Sequence, residues 1–409
     1  MSRAEHIVVV GNGMVGVRFL ERLAALTPER HKVTVIGGEP VEGYNRVLLS
    51  ALLAGDVAQA DVCLRDRAWY TEQDIALRTG ITATRIDTAG SRLELSTGES
   101  LHYDRLVLAT GSSAMRLPLP GSHLEGVVTF RDVADLDRIR AAAAPGRPVA
   151  VIGGGLLGIE AAYGLARLGC DVTLVHVMPR LMERQLDGRA AQFLRDALVR
   201  KRIKVLLNAQ TARVLGDGKV EGLEFKDGTR LSADLVVMAV GVRPQSALAA
   251  DVLDIGRGIK IDDGMTTSVT NIHAIGECAE HRGQIYGLVE PGYDQADILA
   301  RRIAGDVEAR YEGSVLSTNL KISGVGVFSA GGFEGGEGMD SVTFEDRRKC
   351  HYRRLVFKGD QLAGAILIGE TGDALWYRDL IRDGADIAAS RSSLIFGRAH
   401  AERSVREAA

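Results

Sequence analysis

Residues His6–Gly16 read HIVVVGNGMVG. An apolar run, Ile7–Val10, meets Gly11-x-Gly13-x-x-Gly16, and Phe19, Leu20, Leu23 and Leu26 then recur at helical spacing. Each glycine answers a physical need. The first permits a tight turn, the second lets a pyrophosphate approach the backbone, and the third lets helix and strand pack closely. The phosphate then meets the helix N-terminus, where free N–H groups and the helix dipole favour negative charge. A lone glycine triplet of this kind is weak evidence. Here a second apolar strand, Lys32–Ile36, follows where a βαβ unit requires it, so the stretch predicts a doubly wound, parallel α/β domain that binds a dinucleotide.

The design recurs at Val149–Glu160, VAVIGGGLLGIE. Strand Val149–Ile152 runs into Gly153-x-Gly155-x-x-Gly158 and a helix carrying Ala161, Ala162, Leu165 and Leu168. The next strand, Asp171–Val175, ends at His176, with Arg180 four residues on. An acid at such a strand end would hold the ribose hydroxyls of NAD, and a nearby arginine would receive the extra phosphate of NADP. His176 is the candidate at that position, and it is neither acid nor arginine. Coenzyme choice stays open between NADH and NADPH, leaning to NADH because no arginine pair is present.

Two fingerprints in one chain point to two dinucleotides, and the first has the marks of an FAD site. An extended flavin cofactor needs distant strand ends to hold its pyrophosphate and ribityl chain. Asp104–Gly111 (DRLVLATG) reads as a strand ending in Thr110-Gly111, and Ile272–Cys278 (IHAIGEC) as another ending at Gly276-Glu277. The usual ribose acid is less tidy. Gly37 follows Ile36, so the nearest carboxylate is Glu39, which could equally be a solvated loop acid. After Glu290, Pro291 opens a helix through Ala296, Leu299 and Ile303. Its N-terminus would favour the negative charge of reduced flavin.

The whole chain is compatible with that reading and excludes others. At 409 residues it exceeds one ordinary core. A formal net charge of −3 offers no overall handle for nucleic acid or anionic lipid. The longest uncharged runs, such as Ile322–Phe333, are glycine-rich and too short for a membrane span. Met1 is followed closely by a strand, so no signal peptide is expected and a cytoplasmic location is. Cys63, Cys170, Cys278 and Cys350 lie far apart, which predicts free thiols and no metal site.

The FAD domain is expected to be split, over 1–113 and 246–312, by an NAD(P) domain at 114–245. The remainder, 313–409, reads as a small α+β domain. In it, His351–Phe357 and Gln361–Ile368 form strands joined by Lys358-Gly359-Asp360, and a helix starts near Thr371. A basic run, Arg347-Arg348-Lys349 with Arg353-Arg354, could dock an acidic carrier or could be a solvated strand face.

This order resembles the two-dinucleotide-binding-domain flavoprotein reductases. More closely, it resembles the FAD-containing N-terminal region of the large subunit of assimilatory NAD(P)H nitrite reductase and the electron-transfer subunit of assimilatory nitrate reductase. The resemblance is carried by Gly11–Arg18 (GNGMVGVR), Glu42–Ser50 (EGYNRVLLS), Gly153–Ala162 (GGGLLGIEAA), His176–Asp187 (HVMPRLMERQLD), Ala274–Cys278 (AIGEC) and Gly287–Tyr293 (GLVEPGY). Distally it is carried by Thr318–Ser329 (TNLKISGVGVFS) and Gly364–Tyr377 (GAILIGETGDALWY). It implies that Arg46 contacts the FAD, Thr110 and Gly111 its pyrophosphate region and Glu277 its ribityl chain, with Glu160 near the nicotinamide and flavin N5. It also implies an electron acceptor. With no cysteine after Cys350 to ligate an iron–sulfur or sirohaem centre, that acceptor is expected to be a separate nitrite or nitrate reductase protein. The alternative is a small carrier, rubredoxin or ferredoxin; a third reading is a nucleotide-binding scaffold without turnover. Ser50, and no cysteine, lies just after Arg46, which argues against disulfide or peroxide chemistry.

Overall fold

The computed structural model describes residues 4–28, 30–322 and 325–408, with side chains described at all of these except 320–322, 407 and 408. Mutual contacts divide the chain into two compact units. The first comprises residues 1–52, 57–113 and 242–314, and the second residues 53–56, 114–241 and 315–409.

The first unit is built on a five-stranded sheet in the order Ile272–Ala274, Arg105–Leu108, Glu5–Val10, His31–Gly37, Ile75–Thr79. All its pairings are parallel. The opening strand sits in the middle, and Ile7, Val8 and Val9 are fully buried, which is why it reads as an unbroken apolar run. Helix Met14–Leu26 buries Phe19, Leu20 and Leu23, and helix Val289–Ala304 packs alongside it. A small antiparallel sheet, Ala83–Asp87, Arg92–Leu95 and Ser100–His102, precedes the return to Arg105.

The second unit repeats the plan. Its sheet runs Lys204–Leu206, Asp171–Val175, Pro148–Ile152, Leu235–Met238, Val127–Thr129, again all parallel. Helices Leu156–Arg167 and Gly188–Arg200 follow the first two sequential strands of the motif. The same unit holds a five-stranded antiparallel sheet in the order Ser317–Ile322, Val325–Gly331, Gln361–Gly369, His351–Lys358, Asp340–Asp346. Helix Ala374–Asp383 packs on it, burying Ala374 and Tyr377.

The α/β class and the two doubly wound sheets are as the glycine loops predict. Local details differ. The strand expected over Asp104–Gly111 stops at Leu108, and Gly111, at φ +68°, turns the chain. The strand expected through Cys278 stops at Ala274; Gly276, at φ +79°, starts a 3-10 turn over Gly276–Cys278. The helix near Pro291 begins earlier, at Val289, so Pro291 and Glu290 both lie in its first turn. Downstream, the two expected strands do pair antiparallel, but three more join them. Val325–Gly331 is glycine-interrupted, and Asp340–Asp346 is an exposed edge strand whose alternation is limited to Val342 and Phe344, so both signals are weak.

The basic run is also not one surface. Arg353 turns inward, 11% exposed, onto Glu370, the Ile395 carbonyl and Tyr377. Arg354 is held by Asp187 and the Glu334 carbonyl. Arg347, Arg348 and Lys349 alone stay exposed, at a turn.

Candidate functional site

The two glycine loops share one backbone geometry. Gly11 has φ +114°, and a Cβ there would lie 2.1 Å from the Ala109 carbonyl oxygen. A Cβ on Gly16 would lie 2.3 Å from the Gly11 carbonyl oxygen. Gly153, at φ +125°, and Gly158 meet the same obstacles, the Ala239 carbonyl at 2.1 Å and the Gly153 carbonyl at 1.9 Å. These four positions exclude side chains because the protein itself fills the space. Gly13 and Gly155 are different: a Cβ on either meets nothing within 4 Å. Each is the N-cap of its helix and supplies no side-chain cap, so the helix N–H groups face open space. That is the cradle a pyrophosphate needs, and both loops fit the dinucleotides expected of them. Beside the first loop, Asn12 Nδ2 is buried with no partner among the described residues.

Around that loop the structure brings Glu39 and Arg46 together. The Glu39 carboxylate accepts from Tyr44 Oη at 2.7 Å and from the Arg46 guanidinium, so Glu39 is not a loose loop acid. The Arg46 guanidinium also sits over the Tyr44 ring. Thr110 Oγ1 donates to the Gln245 carbonyl at 2.7 Å, and Gln245 N–H donates to the Gly111 carbonyl. The Glu277 carboxylate accepts from Ser112 Oγ at 2.8 Å. Three further residues carry weight that local sequence patterns did not signal. Asn12 Oδ1 accepts from Tyr70 Oη at 2.8 Å. Gln295, 1% exposed, accepts the Gly276 N–H at 2.7 Å and ties helix Val289–Ala304 to the Gly276 turn. Their partners are far away in the chain, so only the fold reveals them.

Around the second loop, Glu160 lies on helix Leu156–Arg167, one turn in from Gly155. It is half-buried, and its carboxyl makes no hydrogen bond or ion pair with a described residue. Burial alone pushes its carboxyl up to about 7. A carboxyl tuned towards neutrality beside a glycine loop of this kind is a functional-site signal. His176 is buried, 8% exposed, and turned onto the loop: Gly154 N–H donates to its Nδ1 at 3.0 Å, and its Nε2 lies 3.0 Å from Glu183. Arg180 is engaged by the Glu183 carbonyl and by Glu334.

All four cysteines are free. Cys278 is fully buried and burial pushes its thiol up, the opposite of an activated thiolate. Among the described residues no group of three or more His, Cys, Asp or Glu side chains is arranged to hold a metal. No described helix is long and apolar enough to cross a membrane.

Two dinucleotide cradles on two parallel sheets define a flavoprotein reductase with FAD and NAD(P)H as cofactors. The chain belongs to the pyridine nucleotide-disulphide oxidoreductase family, whose model matches residues 5–296. A second model, described as the rubredoxin NAD+ reductase C-terminal domain, matches residues 317–385. Nitrite reductase [NAD(P)H] of Bacillus subtilis (strain 168) is 45% identical over 94% of this chain and 48% of its own length. The assimilatory nitrate reductase electron transfer subunit of the same organism is 40% identical over 96% of this chain and 51% of its own. The chain therefore spans about half the length of these curated relatives. Among solved structures, putidaredoxin reductase in its covalent complex with putidaredoxin is 25% identical, with a TM-score of 0.88 over 99% of both chains.

Proposed function

We propose that this chain is the FAD-dependent NAD(P)H dehydrogenase part of assimilatory nitrite or nitrate reduction, passing electrons to a metal-containing acceptor outside these 409 residues. The observation that carries this reading is the pairing of two open glycine cradles, at Gly13 and Gly155, with similarity over 94% and 96% of this chain to a nitrite reductase and a nitrate reductase electron transfer subunit. Bound FAD would supply the redox chemistry, taking a hydride from NAD(P)H and releasing single electrons. In this proposal residues 1–113 and 246–312 hold the flavin, 114–245 the nicotinamide coenzyme, and 313–409 serve the acceptor. The protein works in the cytoplasm.

Each of the chain's own residues is assigned a role that its geometry supports. Gly11, Gly13 and Gly16 shape the pyrophosphate cradle, and Gly153, Gly155 and Gly158 the coenzyme's. Arg46, fixed by Glu39, presents a cation to the flavin side, and Thr110, Gly111 and Glu277 line the turns at the strand ends. Glu160 acts as the residue that orients the reactive end of the coenzyme and holds a proton near neutrality. Close approach of the two reacting rings with water excluded is what such a transfer demands.

A second reading, an NADH:rubredoxin or ferredoxin reductase, is favoured by the distal match over residues 317–385 and by the putidaredoxin reductase likeness. One experiment separates the two. The purified flavin-loaded chain is reduced by NADH in a stopped-flow instrument, then mixed with rubredoxin, ferredoxin and a sirohaem nitrite reductase module. The proposal expects fast bleaching by NADH, no oxidation by nitrite alone, and the fastest reoxidation by the sirohaem module. Rubredoxin or ferredoxin outpacing it would promote the second reading. Failure of NADH to bleach the flavin would leave a binding scaffold.

A further inference from the structure

We propose that His176, backed by Glu183, is a positioning residue that braces the coenzyme loop and does not read the ribose. This rests on the assignment of the Gly153–Gly158 loop to the nicotinamide coenzyme.

Gly154, the variable residue between the first two glycines, is gripped at both ends. Its N–H donates to His176 Nδ1 at 3.0 Å, and its carbonyl accepts from Met182 N–H at 2.9 Å. A Cβ on Gly154 would stand 2.5 Å from His176 Cγ and 2.8 Å from Leu181 Cδ2, so the imidazole lies against the bare Cα. Because a backbone N–H can only donate, Nδ1 must be the acceptor and the ring proton sits on Nε2. That N–H donates to Glu183, whose Oε2 is 3.0 Å away. Both ring nitrogens are thus spent inside the protein. The segment that supplies the grip is itself held in an unusual shape: Met182 is 1% exposed and sits at φ +49°, a conformation non-glycine residues seldom adopt. Arg180 closes it by donating to the Glu183 carbonyl.

The consequence is a coenzyme site whose strand end carries neither a free acid for ribose hydroxyls nor a free arginine for a 2′-phosphate. His176 would then affect both coenzymes alike, through the loop that receives their common pyrophosphate.

The test uses the FAD-loaded protein with ADP-ribose titrated by calorimetry, and NADH and NADPH followed by stopped-flow. His176→Ala should weaken ADP-ribose, NADH and NADPH together by roughly tenfold, the value of one buried hydrogen bond. The NADH-to-NADPH affinity ratio and the limiting rate of flavin reduction should hold within about twofold, well under the tenfold that 1.36 kcal/mol represents. His176→Asn should restore most of the binding, because its Oδ1 can stand where Nδ1 does. Glu183→Ala tests the brace independently should His176→Ala fold poorly, and should weaken both coenzymes less than His176→Ala. A shift of the coenzyme ratio by tenfold or more in His176→Ala, or an Asn variant no better than Ala, would overturn the brace. Gly155→Val separates this from the loop assignment: if that variant still binds ADP-ribose, the loop is not the coenzyme site.

Discussion

Glu160→Gln offers the most direct energetic test of the second unit. Burial raises the Glu160 carboxyl from 4.5 to about 7 with no compensating charge, so ionisation is opposed in the folded state. At 1.36 kcal/mol per unit, the difference of about 2.5 units corresponds to roughly 3 kcal/mol. The sign follows from proton counts. Between pH 4.5 and 7 the folded protein keeps a proton that the unfolded chain has released, so stability falls as pH rises across that window. Below 4.5 the effect is absent, and above 7 it is complete. Glutamine cannot ionise and escapes the penalty. At pH 8 Glu160→Gln should therefore be more stable than the parent by about 2–3 kcal/mol, with near equality at pH 4.5. The chain's two tryptophans, Trp69 and Trp376, fall one in each unit, so urea unfolding read from Trp376 in a Trp69→Phe background reports the second unit. The same advantage at both pH values, or none at pH 8, would refute the reasoning. The substitution should also flatten the pH dependence of flavin reduction near neutrality, because the group proposed to hold a proton there is gone.

The remaining predictions concern the first unit. Gly13→Val should fold normally, since its side chain enters open space, yet purify without flavin; Gly11→Val should lose stability, since its side chain would strike the Ala109 carbonyl at a φ of +114°. A Gly13→Val protein that stays yellow would remove this loop from the FAD site. His273 is buried with both ring nitrogens unpartnered among the described residues, and its pKa is lowered to about 4, by burial first. Stability is present above the unfolded value of 6.5 and is lost as pH falls through about 4, by roughly 3 kcal/mol. His273→Leu should remove that acid sensitivity when unfolding is followed at Trp69; an unchanged acid limb would show that His273 is not its source.

How far the sequence was legible depends on where each determinant lies in the chain. The central strands are buried on both faces and end in glycines that cannot be replaced, so a short window contains the whole signal. The same holds for the cradles: the turn, the open N-cap and the helix occupy consecutive residues. Polar contacts across the fold do not share this property. Tyr70 meets Asn12 across 58 residues, and Ser112 meets Glu277 across 165. Glu39 and Arg46 are seven residues apart, yet their pairing depends on how the loop folds. Charge runs mislead for a related reason. Arg353 and Arg354 sit on opposite faces of one strand and each finds a partner elsewhere, while Arg347, Arg348 and Lys349 lie exposed at a turn.

The missing ribose acid has the same kind of explanation, and it links the two loops. At each, the residue between the first two glycines competes for space with the residue ending the second strand. In the first loop Asn12 carries the side chain, and a Cβ on Gly37 would stand 3.2 Å from Asn12 Cβ. A side chain at this strand end would crowd Asn12, and the nearest acid in the sequence is Glu39. In the second loop the exchange is reversed: Gly154 gives up its side chain, and the imidazole of His176 fills the vacated space. One loop is braced outward, from Asn12 to Tyr70, and the other inward, from His176 to Gly154. The first strand end has no side chain, and the second is engaged on both ring nitrogens. A motif that expects an acid there fails in each unit for its own reason: Gly37 leaves room for Asn12, and His176 fills the room that Gly154 leaves.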